Sequence, residues 1–190
     1  MPPGHNEFFD LRLYKLDLAV FQTERLYARK MTLDDLPALS LILRDEKAMV
    51  AYEHAFSEEE TLHWLKTQLQ RYQKDGVGLW AIVLKESGEM IGQCGLTMQP
   101  VEGETLLEVG YLFQRAFWHR GYAIEAASAA KRYAFEVLKA PEVCSIIREN
   151  NLASINVAIR NGMLAKKHFI HHYWGVDMPH IVFSVKNPAP

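Results

Sequence analysis

The 190-residue chain is 49% hydrophobic and 23% charged, the balance of a soluble globular protein with room for one domain and a substantial core. Lys plus Arg number 21 and Asp plus Glu 23, for a net charge of -2, so no basic excess points to nucleic acid as a ligand. No apolar run reaches the length of a membrane span, and the N-terminus lacks a basic segment followed by an apolar core. A cytoplasmic protein with no membrane partner is therefore expected. Cys94 and Cys144 fall within apolar strands and read as buried free thiols.

Residues 1–20 form an N-terminal extension. Leu11, Leu13, Leu16 and Leu18 make it apolar enough to pack on the domain or on a partner subunit. From Thr23, the alternation in ERLYARKM predicts a first strand. Thr32 caps a helix with Asp34 and Asp35 in its first turn and Leu36, Leu39, Ile42 and Leu43 at helical spacing. A shorter helical piece is expected over 46–52. Ser57 and Glu60 form a capping box that opens a helix to about Lys74, with Leu62, Leu65 and Leu69 on one face. Asp75-Gly76 ends it.

Three strands follow, over 78–86, 89–98 and 105–113. Ser87-Gly88 turns between the first two, and Gly92 and Gly95 mark places where a ligand or a close neighbour approaches the third of the chain's strands. The stretch EVGYLFQRAFWHRGYAIE, residues 108–125, passes from a buried strand through the loop WHRGYA into a long alanine-rich helix. A loop that feeds a helix N-terminus gathers free N–H groups at the positive end of the helix dipole, which suits a phosphate. Gly121 lets the backbone approach an anion, and Arg120 adds a positive charge. The helix runs to about Leu138. A buried strand over 142–148 comes next, then a short helix capped by Asn151 or Ser154 and stopped by Asn161-Gly162. Two apolar strands over 164–173 and 178–185 close the chain. The order predicts one α/β (α+β) domain over 1–190 with a mixed sheet.

Four pieces, in this order, resemble the GNAT superfamily of N-acetyltransferases, and most of all its branch of ribosomal-protein N-terminal acetyltransferases. They are TERLYARKMTLDDL, EMIGQCGL, EVGYLFQRAFWHRGYAIEA and ENNLASINVAIRNGM, within about residues 22–185. The resemblance implies a mostly antiparallel sheet splayed between the fourth and fifth strands, with acetyl-CoA in the splay. It implies that His119, Arg120, Gly121, Tyr122 and Ala123 cradle the pyrophosphate, chiefly through backbone N–H. It further implies that Leu112 and Phe113 pair with the pantetheine arm through main chain and that Asn151 contacts the pantetheine or cysteamine end. The chain departs from the superfamily at His119, where glycine is usual, and at Ala158, where many members carry a tyrosine that protonates the departing thiolate. Ser154 is the replacement candidate.

An amine must be neutral to attack a thioester, so a base or water chain must take a proton. Glu108, a carboxylate in an apolar strand, is the candidate base. Its competing role is a structural ion pair with Arg25 or Arg29. The tetrahedral oxyanion needs a donor, and a fourth-strand N–H freed by a bulge is expected to provide it. Glu53 and His54 are candidates for the acceptor side. His168, His171, His172 and His180 invite a metal, but His168 and His172 lie about 13 Å apart on a strand. Cleft lining or hairpin surface is expected for them, and no metal. Trp64, Trp80, Tyr173 and Trp174 are expected as core or cleft wall. The chain thus reads as an acetyl-CoA-dependent N-acetyltransferase, a monomer or homodimer, whose acceptor is a small-molecule amine or a peptide N-terminus. The alternatives are a non-catalytic CoA-binding module of the same fold and a transferase of longer acyl chains.

Overall fold

The computed structural model describes residues 18–173 and 175–188. Twelve elements follow one another: β1 (Phe21–Gln22), β2 (Leu26–Arg29), α1 (Leu36–Leu43), α2 (Glu58–Lys74), β3 (Leu79–Leu84), β4 (Met90–Val101), β5 (Glu104–Phe113), α3 (Tyr122–Glu136), β6 (Glu142–Arg148), α4 (Leu152–Arg160), β7 (Leu164–Tyr173) and β8 (Val176–Lys186). Short 3-10 turns lie at Leu33–Asp35, Val50–Tyr52 and Arg115–Phe117. The strands form one sheet in the order β1-β2-β3-β4-β5-β6-β8-β7. Every neighbouring pair is antiparallel except β5 and β6. The mixed α/β class and the mostly antiparallel sheet are as expected. The strand missed in the sequence is β1, whose two residues are too few to show an alternation.

The predicted capping box at Ser57 forms, whereas Thr32 precedes a 3-10 turn and Asp35 stands at the N-cap of α1. Ser57 accepts from Glu60 N–H at 3.1 Å, and Ser57 N–H donates to the Glu60 carboxylate at 2.8 Å. Asp35 accepts from Thr32 N–H at 2.8 Å and is gripped in two-pronged fashion by Arg29 at 2.7 and 2.8 Å. The α2 face that faces the core is more polar than its leucines suggest. Thr61, Leu65, Gln68 and Tyr72 are buried, while Leu62 and Leu69 only flank them. Gln68 accepts from Leu79 N–H at 3.1 Å, and the Tyr72 hydroxyl joins Met31 N–H to the Leu79 carbonyl. These bonds supply partners for main chain that the sheet leaves unpaired where β3 begins.

The β4–β5 hairpin pairs without interruption from Gly92↔Phe113 to Val101↔Glu104. The bulge expected in the fourth predicted strand, β5, is therefore absent. Gly92 and Gly95 serve close neighbours: a Cβ at Gly92 would strike the Phe113 ring, and one at Gly95 would strike the Gly78 carbonyl. Trp80 is core, packed edge-on against Phe21 and Tyr133. Cys94 and Cys144 are buried and free. The predicted packing of Leu11, Leu13 and Leu16 lies outside the described residues, as does Trp174; Leu18 is exposed.

The sheet opens between β5 and β6. The two strands share a single parallel pair, Glu108↔Cys144. A continued ladder would next join Ile146 N–H to the Val109 carbonyl. Side chains make both bonds instead. Ile146 N–H donates to the Glu108 carboxylate at 3.3 Å, and the Ser145 hydroxyl donates to Val109 C=O at 2.8 Å. Beyond this fork the strands diverge, and the gap they leave holds the candidate site.

Candidate active site

Alternation along β5 divides its residues between two sides. Glu108 points with Thr97 and Arg71 toward the α2 side, whereas the Tyr111 hydroxyl reaches Ser154 on α4. Each side carries a cavity. The one on the α4 side, of about 480 Å³, lies between the loop 118–121, α3 and α4, and includes Leu112, Phe113, His119, Gly121, Tyr122 and Ala123. The other, of about 340 Å³, is floored by Glu108 and walled by residues such as Trp64, Arg71, Arg148, His171 and His180. Tyr111, Leu112, Asn151 and Ser154 line both. The two cavities therefore meet where β5 faces the first turn of α4.

The loop on the larger cavity gathers main-chain donors that have no acceptor. Trp118 N–H and Glu125 N–H have acceptors, at Arg115 C=O and Gly121 C=O. The N–H groups of His119, Arg120, Gly121, Tyr122, Ala123 and Ile124 between them have none among the described residues. Six successive free donors at the N-terminus of the 15-residue α3 make a strongly anion-seeking surface. Two left-handed residues bend the loop into this shape, Gly121 at φ 79° and His119 at φ 61°. The histidine thus adopts a conformation that suits glycine, at a local cost the surrounding bonds must offset.

Those bonds come from the other end of the chain. Arg25 donates to the Arg120 carbonyl at 3.0 Å, binds Glu125 of α3 at 2.6–2.7 Å, and lies 4.4 Å above the Tyr122 ring. Thr23 donates to the same Glu125 carboxylate at 2.6 Å. These contacts hold the Glu125 carboxyl below its ordinary range. Trp118 braces the loop's other end through a 2.9 Å bond from its indole to Phe113 C=O. The Arg120 guanidinium is not turned to the cavity. It is exposed and stacked 5.7 Å from Phe117, and Arg120 is absent from the cavity lining, contrary to the charge expected of it there.

On β5 the main chain that faces the opening belongs to Tyr111 and Phe113. Gln114 N–H pairs with Ile91 C=O, so by alternation Leu112 spends its N–H and C=O on β4. Leu112, which lines both cavities, therefore has its main chain taken up by β4, contrary to the main-chain role expected of it. Phe113 keeps its N–H for the opening, its carbonyl being taken by Trp118. Tyr111 presents both groups where no strand lies opposite, which replaces the missing bulge as a source of a free main-chain donor. Tyr111 is the residue that sequence reasoning missed. Burial raises its phenol well above the ordinary value, and its hydroxyl donates to Ser154 C=O at 2.9 Å. A phenol among apolar strand residues, three positions after the candidate base, was the available signal.

Asn151, not Ser154, caps α4: its side-chain oxygen accepts from Ser154 N–H at 3.1 Å. The Ser154 side chain is thereby released from capping and sits at the junction of the cavities. Ala158, where the tyrosine is absent, is buried in the core. Glu108 has no arginine bound to it; Arg25 holds Glu125 and Arg29 holds Asp35. Its carboxylate instead accepts from Thr97 at 3.1 Å and from Ile146 N–H, and burial pushes its pKa up despite these bonds and the more distant attraction of Arg71.

The acceptor-side candidates separate. Glu53, at φ 69°, binds Arg148 of the cavity wall at 2.5 Å, whereas His54 turns to Glu60 at 3.0 Å. His171 and His180 line the cavity with their rings 5.5 Å apart. His180 donates from Nδ1 to Met178 C=O at 2.9 Å, and burial lowers its pKa, which keeps it neutral. His172 pairs with Asp177 on the hairpin surface. No cluster suited to a metal occurs among the described residues. No described helix is long and apolar enough to cross a membrane.

Residues 25–164 match the model of the acetyltransferase (GNAT) domain. The chain is 35% identical to YkkB, an uncharacterised protein of Bacillus subtilis, over 74% of this chain and 83% of that one. The chain belongs to the GNAT acetyltransferase family. Among solved structures, an acetyltransferase from Agrobacterium tumefaciens is 28% identical, with a TM-score of 0.74 over 87% of this chain and 92% of that one. RimL, a ribosomal L7/L12 α-N-protein acetyltransferase crystallised with coenzyme A, has the same fold: TM-score 0.72 at 20% identity, over 90% of this chain and 99% of that one. A GNAT acetyltransferase is an acyltransferase, and across the family the donor is acetyl-CoA and the acceptor an amine.

Proposed function

We propose that this protein carries acetyl from acetyl-CoA to a primary amine by direct attack within a ternary complex. The observation that carries the reading is the meeting of the two cavities at Tyr111, Leu112, Asn151 and Ser154. An anion cradle at the far end of the larger cavity and a carboxylate in the smaller one put donor and acceptor on opposite sides of one junction. The six free N–H groups from His119 to Ile124 bind the pyrophosphate. Tyr111 and Phe113 offer main chain to the pantetheine, and Asn151 reaches its cysteamine end.

The chemistry needs no covalent enzyme intermediate. The amine loses a proton to Glu108, its nitrogen attacks the thioester carbon, the carbonyl oxygen gathers negative charge, and the C–S bond then breaks. The Tyr111 N–H is the donor best placed by strand direction for the oxyanion. The thiolate takes its proton at the junction, where Ser154 and the Tyr111 hydroxyl are the available O–H groups. A base whose pKa burial has raised is a better proton acceptor than an ordinary carboxylate at neutral pH.

Titration calorimetry with acetyl-CoA tests the donor half. Release of free thiol in the presence of an amine panel tests transfer. Absence of binding at millimolar acetyl-CoA sinks the reading. Binding without thiol release for any amine leaves a CoA-binding protein that does not transfer.

A further inference from the structure

We infer that the amine accepted in the Glu108 cavity carries a carboxylate, and that Arg71 binds it. This inference rests on the transferase reading above and adds the substrate class.

The helix α2 lays Trp64, Gln68 and Arg71 on one face through their three- and four-residue spacing. The first two are fixed. The Trp64 indole donates to Gln93 at 3.1 Å, and Gln68 accepts from Leu79 N–H. Arg71 continues the row into the cavity, half-buried; its guanidinium makes no hydrogen bond or salt bridge with any described residue and attracts Glu108 only from a distance. The second guanidinium of the wall, Arg148, is spent on Glu53 at 2.5 Å and on Val50 C=O at 3.0 Å. Arg25, Arg29 and Arg115 are likewise paired, with Glu125, Asp35 and Asp45.

The charge balance within the cavity is uneven. With Arg148 neutralised by Glu53, Arg71 is the guanidinium left to face Glu108, a carboxyl whose oxygens are occupied by Thr97 and Ile146 and which burial drives toward the neutral form. A polyamine or other multiply cationic acceptor would meet that positive group and a single carboxyl already engaged in bonds. An amine with one carboxylate supplies the missing charge, and the planar guanidinium fork matches a carboxylate with two parallel bonds. Partial burial strengthens that pair relative to one in open water. Tyr52, Trp64, Phe169 and Met178 on the same walls accept an apolar side group. A space of about 340 Å³ admits a free amino acid or the first residue of a peptide.

The test uses the full chain with saturating acetyl-CoA and measures thiol release, with rates referred to the neutral fraction of each amine. Two pairs of acceptors are compared: phenylalanine against phenylalaninamide, and the peptide amide Asp-Phe-NH2 against Asn-Phe-NH2. In at least one pair the acid has the higher kcat/KM. Arg71→Gln lowers that acid's kcat/KM by about 10- to 100-fold, the scale of a lost charge-assisted hydrogen bond, mostly through KM, and brings the acid-to-neutral ratio toward one. Arg71→Lys, which keeps the charge but not the fork, falls between. The pair that responds says whether the carboxylate is that of a free amino acid or of an acidic peptide terminus. Thermal melting and acetyl-CoA affinity establish that each variant is folded.

Equal or better use of the neutral partner in both pairs overturns the inference, as does an Arg71→Gln loss shared equally by acid and neutral acceptors. If amines are acetylated without preference for acids, this inference alone falls. If acetyl-CoA does not bind or no amine is acetylated, the transferase reading falls and takes this inference with it.

Discussion

The two cavities are made of different materials. The larger one is lined where it matters by main chain: six N–H groups, a helix end and two left-handed residues. The smaller one is lined by side chains from α2, β4, β5, β6, β7 and β8, none adjacent in sequence to more than a few of the others. A main-chain site depends on backbone shape and so resists most substitutions that keep that shape. A side-chain site can change its ligand one residue at a time.

The sharpest way to break the comparison is to attack the main-chain site at its bend. Gly121→Asp puts a side chain on a residue in the left-handed region, its added Cβ 3.4 Å from the Arg25 guanidinium. The strain unbends the loop, and the new negative charge beside it disfavours a pyrophosphate. Affinity for acetyl-CoA should fall by about 100-fold or more, the order of two lost charge-assisted hydrogen bonds. Calorimetry on the folded variant checks this; an unchanged dissociation constant refutes the cradle.

Next comes the side-chain site. Glu108→Gln should lower kcat by about 100-fold, at the low end for a general base. In the wild type, activity should rise with pH as Glu108 loses its proton, at a pH above the usual carboxylate range. The variant should lack that rise. Stability should move the other way. A carboxyl whose folded pKa is raised contributes stability at low pH that is lost as pH rises through the folded pKa. Glu108→Gln should therefore melt higher than wild type at pH 8, and the difference should vanish toward pH 4. A melting point equal to wild type across that range would mean that the carboxylate is well solvated.

Smaller effects separate supporting residues from contacting ones. Arg25→Ala removes the bonds to Arg120 C=O and Glu125 without touching the cavity surface. It should weaken acetyl-CoA binding by about 10-fold, the scale of one charge-assisted bond, and lower kcat at saturating donor far less. Equal losses in both would place Arg25 in the chemistry. Ser154→Ala should reduce kcat by less than about 10-fold and leave the melting point nearly unchanged. Asn151→Ala, which removes the actual cap, should cost about 1 kcal/mol of stability.

Much of the larger cavity was legible in the sequence because it is local. WHRGYA and the alanine-rich helix behind it are contiguous, so a bent loop before a helix N-terminus with unpaired N–H groups could be read from them. The capping boxes at Ser57 and the turn at Asn161-Gly162 were legible for the same reason. What was not legible depended on pairing across the fold. Whether Leu112 or Tyr111 turns its main chain to the opening is decided by register with β4, which the sequence does not state. The partners of Arg25, Arg29 and Glu108 were exchanged in expectation because each is chosen by strands and helices far apart in the chain. Arg71 drew no notice, since one arginine near the end of a charged helix looks like a solvated residue until the cavity beside it is known.

The reach of Arg25 has a consequence for what a bound ligand stabilises. Its bonds to the loop and to α3 span 95 and 100 residues of chain. The bent loop with His119 in a left-handed conformation is therefore not held by local sequence alone; it is tied to the segment between β1 and β2. Ligand binding and this tie are then linked. Acetyl-CoA present at 100 times its dissociation constant adds about 2.7 kcal/mol to the folded state, and part of that should appear as slower hydrogen exchange in residues 23–29, a segment that need not touch the ligand at all.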